Sequence, residues 1–161
     1  MPARGASLIE MMIVVAIIGI LASLSTPMIS TYLQNAKLRA TTDELKEALE
    51  LARSEAIKRN DTVKFTALNG GGWTVEVYSN DLLTSLASKP DAAGSHAAVS
   101  ADNSVIRFDG SGRPDVAATL QVMPVSGSCT TLTCLQIELN RFGKIKVCNP
   151  DTTNEVLKCG S

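Results

Sequence analysis

No charged residue occurs between Glu10 and Lys37, and residues 11–24 are strongly apolar. This run constrains the 161-residue chain more than any other feature. Alone, residues 11–24 fall short of the about 20 residues that a bilayer-spanning helix needs. Leu8, Ile9 and the weakly polar residues 25–29 extend the run to that length. Arg4 precedes it, as the positive-inside tendency requires of a cytoplasmic N-terminus, so the rest of the chain is expected on the other side. Glu10 is the anomaly. A lone carboxylate at the membrane edge costs a few kcal/mol and marks function by default.

A conventional secretory signal places a small-residue cleavage site after its apolar run. Here Leu21, Ala22 and Ser23 offer only a weak one. The informative residues lie earlier: Gly5 precedes Ala6, and Glu10 stands four residues beyond Ala6.

Gly5-Ala6-Ser7-Leu8-Ile9-Glu10, followed by an apolar helix, resembles the class III signal of type IV pilins and type II secretion pseudopilins. The resemblance implies that a prepilin peptidase cuts between Gly5 and Ala6 and methylates the new N-terminus at Ala6. Glu10 becomes the fifth residue of the mature chain, where the family keeps its glutamate. Gly19 and Pro27 fall where many pilins loosen this helix. The family's usual first mature residue is Phe or Met, and here it is Ala6. In a bundle of such helices, Glu10 would pair with the Ala6 amine of a neighbouring subunit, neutralise both charges and set axial register.

Beyond Pro27 the helix is expected to continue, because membrane helices tolerate proline. Leu38, Thr42, Leu45, Leu49, Ala52 and Ala56 recur every three to four residues, with charged residues between them. That spacing predicts an amphipathic helix to about Arg59 or Asn60, lying on a C-terminal domain. Residues 6–60 as one helix would be roughly 80 Å long. The period then becomes two. Val63, Phe65 and Ala67, then Trp73, Val75 and Val77, flank Asn69-Gly70-Gly71-Gly72 and predict a β-hairpin. Trp73 is read as a packing aromatic. Residues 79–103 read as a polar excursion with at most one short element. Strands are expected at 105–108, at 118–125 up to Pro124, and in a hairpin of 135–139 and 144–148.

With few aromatics, about 100 residues bury only a thin core, which disulfides would support. Cys129, Cys134, Cys148 and Cys159 lack any C-x-x-C spacing, and His96 stands far away in a polar stretch. No metal or cofactor site is therefore read; two disulfides in an oxidising compartment are. Three pairings are open. The sequential one, Cys129–Cys134 and Cys148–Cys159, is favoured because it closes only local loops.

No catalytic constellation is present, so no enzyme activity is read. The glycine run precedes a strand and reads as a turn, and Asp109 and Asp115 read as turn-formers. The net charge of −1 excludes a generally basic nucleic-acid binder but not a local patch.

Residues 135–148 resemble the C-terminal hairpin of the GspH/FimT group of minor pilins and pseudopilins. In its DNA-uptake members this hairpin carries a G-R-x-R motif. The matching residues here are Gly143, Lys144, Ile145 and Lys146, with both arginines replaced by lysine, which keeps the charge and loses the bidentate fork. Arg141 and Lys158 would extend a double-stranded DNA patch; Asp151 and Glu155 would oppose it. The plainer reading makes Lys144 and Lys146 the solvent face of a strand with Ile145 and Val147 inside.

Together these readings imply an α+β type IV pilin fold, a long N-terminal helix packed on an antiparallel β-sheet domain. Residues 1–5 are the leader, 6–29 the transmembrane or filament-core half of the helix, 30–60 its amphipathic half and 61–161 the β-rich domain. The function implied is a minor pilin that helps initiate or cap pilus assembly, partnered by major and minor pilins and the peptidase. It would sit in the bacterial inner membrane with a periplasmic domain, then in the pilus. The alternatives are a DNA-binding pilin for transformation and a GspH-type pseudopilin of type II secretion.

Overall fold

The computed structural model describes residues 7–79, 82–91, 97–126, 128–154 and 157–160; the side chains of residues 22–28 and 79 also lie outside the description. The chain divides into two units, Met1–Leu33 and Gln34–Ser161. Helix α1, Leu8–Arg59, runs through Pro27 without a break, as membrane-type helices can.

The second unit is built on one stripe of this helix. Leu38, Thr42, Leu45, Leu49, Ala52 and Ala56 are all buried, as their spacing predicts, and Ala48 joins them. Thr42 is tolerated there because its hydroxyl donates to the Leu38 carbonyl at 2.8 Å. The helix ends in a Schellman arrangement. Asn60 takes a left-handed φ of 51°, Asp61 N–H donates to the Ala56 carbonyl at 3.2 Å, and Asn60 N–H to that of Ile57 at 3.3 Å.

Eight strands follow: β1 Val63–Ala67, β2 Trp73–Ser79, β3 Leu82–Lys89, β4 Ala97–Ala101, β5 Val105–Phe108, β6 Ala118–Pro124, β7 Leu135–Leu139 and β8 Ile145–Cys148. They form two antiparallel sheets, ordered β3-β2-β1-β5 and β4-β6-β7-β8. Both sheets contribute to one core with the helix stripe: Phe65, Val75, Ile106 and Phe108 from the first, Val99, Leu120, Val122 and Ile137 from the second. Trp73 packs half-buried against that core.

The expected β1–β2 hairpin is present, with Val63 opposite Val77 and Phe65 opposite Val75. Its glycines form a turn. Gly71 has φ 82°, and Gly72 N–H donates to the Asp91 carboxylate at 2.9 Å. The region 79–103 departs from expectation, because it holds two strands, β3 and β4, where at most one short element was read. Their small and polar residues have weak strand preference. The pairing comes from β2 and β6, so tertiary context overrides propensity. The last strand starts at Ile145 rather than Lys144, because Lys144 belongs to the turn.

Leu49 is fully buried at the centre of the stripe. Leu49→Ala should lower unfolding free energy by about 2–5 kcal/mol in a denaturant titration.

Candidate functional sites

The β7–β8 hairpin is closed by residues 140–144. Asn140 organises this turn. Its side-chain oxygen accepts from the N–H groups of Phe142 at 3.0 Å and Lys144 at 2.9 Å, while its carbonyl accepts from Gly143 N–H at 3.0 Å. Gly143 has φ 79°, and a Cβ there would lie 2.6 Å from the Gly112 carbonyl oxygen. Only glycine suits such a position. The second turn, residues 109–112, is thereby pressed against the first.

Arg53 ties the first turn to the helix and lies close against the second. Its Nη1 donates to the Gly143 carbonyl at 2.7 Å, and its Nε is buried between Gly112 and Gly143. The second turn has its own brace. The Asp109 carboxylate accepts from the Ser111 hydroxyl at 2.6 Å and from the backbone N–H groups of Ser111 and Arg113. The Ser111 hydroxyl, then the Arg113 N–H, hold the Asp109 carboxyl below the ordinary carboxylate range. Asp109 thus forms a turn as expected, whereas Asp115 reaches across to β5 and accepts from Arg107 N–H at 3.0 Å.

Of the four cations singled out from sequence, Arg141, Lys144 and Lys158 are exposed. Lys146 is half-buried. It stands opposite Glu138 in register, and its Nζ donates to the Lys158 carbonyl at 3.3 Å. Glu138 also accepts from Gly160 N–H at 3.0 Å and from Gln136. A hollow of about 350 Å³ sets Asp102 and Glu138 beside Lys144 and Lys146. The lysines thus share their face with carboxylates. Ile145 and Val147 turn inward against the core. Asp151 is exposed; Glu155 and His96 lie outside the described residues.

Three residues at this end were not singled out from sequence. In the sequence Arg53 is one of several charged residues between the apolar positions of the helix. Arg113 follows Gly112, and Phe142 is 74% exposed at the hairpin tip. The available signal was a glycine in each turn, which marks close backbone approach.

Both disulfides are sequential, Cys129–Cys134 and Cys148–Cys159. The first closes a loop tied to the helix by Thr133 N–H donating to the Asn35 side chain at 2.8 Å. The second ties Cys159 to the end of β8, with Asn149 bridged to Lys158. Glu138 lies close to Cys148 and Cys159, but a disulfide leaves no thiolate to bind a metal.

At the helix start, Gly5 and Ala6 lie outside the described residues. Ser7 takes the N-cap position, its carbonyl accepting from Met11 N–H at 3.2 Å. Glu10 then falls at N3, the capping-box spacing, in the first turn where the helix dipole favours an anion. Leu8, Ile9, Met11, Met12, Ile13, Val15, Ile17, Ile18, Ile20 and Leu21 are all exposed. A Cβ at Gly19 would meet nothing within 4 Å, and the Pro27 side chain lies outside the description. Among the described residues no helix is long and apolar enough to cross a membrane. Residues 8–21 span roughly 20 Å against a hydrocarbon core of about 30 Å. The expected 6–29 span includes Ala6 and the 22–28 side chains, which lie outside the description.

A long helix whose Leu38–Ala56 stripe packs on two antiparallel sheets, with a Gly-Ala-Ser-Leu-Ile-Glu start in the sequence, defines a pilin-like protein of the GspH/FimT type. The chain belongs to the type II transport protein GspH family, whose model matches residues 41–143. A prokaryotic N-terminal methylation motif matches residues 1–26. Two solved structures share the fold. The type IV minor pilin FimU of Pseudomonas aeruginosa has a TM-score of 0.61 at 16% identity, covering 75% of this chain and 98% of FimU. The minor pseudopilin EpsH from the type 2 secretion system of Vibrio cholerae has 0.60 at 11% identity, covering 72% and 99%. No curated protein matches.

Arg53→Met should keep the helix and free both turns. Hydrogen exchange is expected to accelerate at Gly112, Gly143 and Lys144 and to stay unchanged in β1 and β2.

Proposed function

We propose that this chain is a minor type IV pilin that helps initiate or cap pilus assembly. The carrying observation is the exposed aliphatic surface of residues 8–21, interrupted by one carboxylate. So large an apolar surface requires a cover. Lipid supplies it before assembly and neighbouring helices supply it within a filament. On this reading residues 6–29 anchor the chain in the inner membrane with the domain periplasmic. The prepilin peptidase cuts between Gly5 and Ala6 and methylates Ala6.

Glu10 then meets the Ala6 amine of an adjacent subunit. The helix dipole and the N3 position give the carboxylate a local role as well. Pairing replaces that local role without leaving a charge exposed to apolar surroundings. Gly19 and Pro27 let the helix adjust as it leaves lipid for the bundle. Glu10→Ala should leave cleavage intact and reduce incorporation into sheared pili severalfold, read by immunoblot. Gly5→Ala should leave the leader in place, read by mass spectrometry of the N-terminus. Wild-type incorporation of the Glu10 variant would remove the register role. Loss of protein secretion with normal piliation in a deletion strain would instead assign the chain to a secretion filament.

A second reading is DNA contact, favoured by Arg141 and Lys144 exposed on a braced turn. Lys146 and Lys158 contribute less, because each lies beside Glu138 or its hydrogen-bonded neighbours. Binding of double-stranded DNA through this tip should be independent of sequence and fall steeply with salt. Replacing Arg141 and Lys144 with glutamine should weaken it about tenfold in a gel shift. Replacing Lys146 alone should change it less than twofold.

A further inference from the structure

We infer that the hairpin tip takes single-stranded nucleic acid, with a base stacked on Phe142 and phosphates held by Arg113, Arg141 and Lys144. This rests on the nucleic-acid reading of the same tip and narrows its ligand. Phe142 is 74% exposed, the most exposed aromatic ring among the described residues. It is held on a rigid support. Its own N–H is bonded to Asn140, and the following carbonyl, that of Gly143, is bonded to Arg53. The backbone that carries the ring is thereby fixed, so a ligand that covers the ring has only the side chain left to order.

Beside the ring lies an open hollow of about 500 Å³, lined by Glu50, Arg53, Ser54, Ile57, Phe142, Lys144 and Ile145. Ile57 is half-exposed there. The hollow thus combines apolar Ile57, Phe142 and Ile145 with Lys144, while its carboxylate, Glu50, is paired with Lys46 at 3.7 Å. Contact of the Gly112 carbonyl with Gly143 brings the Arg113 turn alongside. Arg113, Arg141 and Lys144 have no ion pair among the described residues, whereas Lys58 and Arg59 are both engaged by Glu55.

Charge alone would suit any polyanion. An exposed ring among cations selects one with accessible planar faces, and base–aromatic stacking tolerates every base. In a duplex the faces are buried in the stack, so Phe142 cannot reach them without unstacking. A single strand presents them freely.

The test uses the full chain in detergent with fluorescein-labelled 20-nucleotide single strands and the matching duplex, read by anisotropy. The single strand should bind more tightly. Phe142→Ala should weaken single-strand binding about tenfold and leave duplex binding and the melting temperature unchanged. Phe142→Trp should restore single-strand binding, with quenching of the added indole. Equal binding of both forms, unaffected by Phe142→Ala, would overturn this inference and leave the DNA reading intact. No binding of either form by the wild-type chain at low salt would remove both. Reduced pilus incorporation of Phe142→Ala with unchanged single-strand binding would make Phe142 a protein contact and overturn the inference.

Discussion

The burial of one helix stripe organises everything in the second unit. Leu38, Leu45 and Leu49 supply its bulk, while Ala48, Ala52 and Ala56 leave the surface low enough for backbone to approach. Because the two four-stranded sheets share one core with that stripe, neither has to bury a face against the other alone. The thin aromatic content of the chain is then sufficient. Phe65 and Phe108 are its fully buried rings. The same stripe places Arg53 one position after Ala52, at the edge of the core, where it can reach both turns.

The helix was legible almost completely. Its stripe is periodic over many residues, and Asn60 ends it by a recognised backbone device. The first hairpin and the strands β5, β6 and β7 were legible from alternation. Strands β3 and β4 were not. Their Ser, Ala and Thr residues form strands because β2 and β6 present unpaired edges, and sequence alone does not display an edge. The disulfide pairing was favoured correctly on loop length, since both bridges are local.

The tip was only half legible. Resemblance pointed to the Gly143–Lys146 stretch, and alternation placed Ile145 and Val147 inward, as the structure does. Register decided the rest. The register sets Glu138 opposite Lys146, a carboxylate facing one of the two matched lysines, and that pairing depends on the length of the 140–144 turn. Arg53 could not be found from sequence, because it is 90 positions from its partner Gly143 and looks like any solvent-facing helix arginine.

The two covalent links share a property with consequences for where the chain can mature. Both lie in the last third of the chain, and none of the four cysteines belongs to β1, β2, β3 or β5. That half of the domain is held by its strand ladders, by the Lys64–Glu76 and Lys89–Glu44 ion pairs and by the shared core, with no covalent link of its own. The Cys148–Cys159 link restrains the tail that carries Lys158 and contacts Glu138. A reducing compartment would therefore leave one sheet formed and loosen the end of the other. Oxidation fixes the tail beside Glu138 and adds no link to the first sheet.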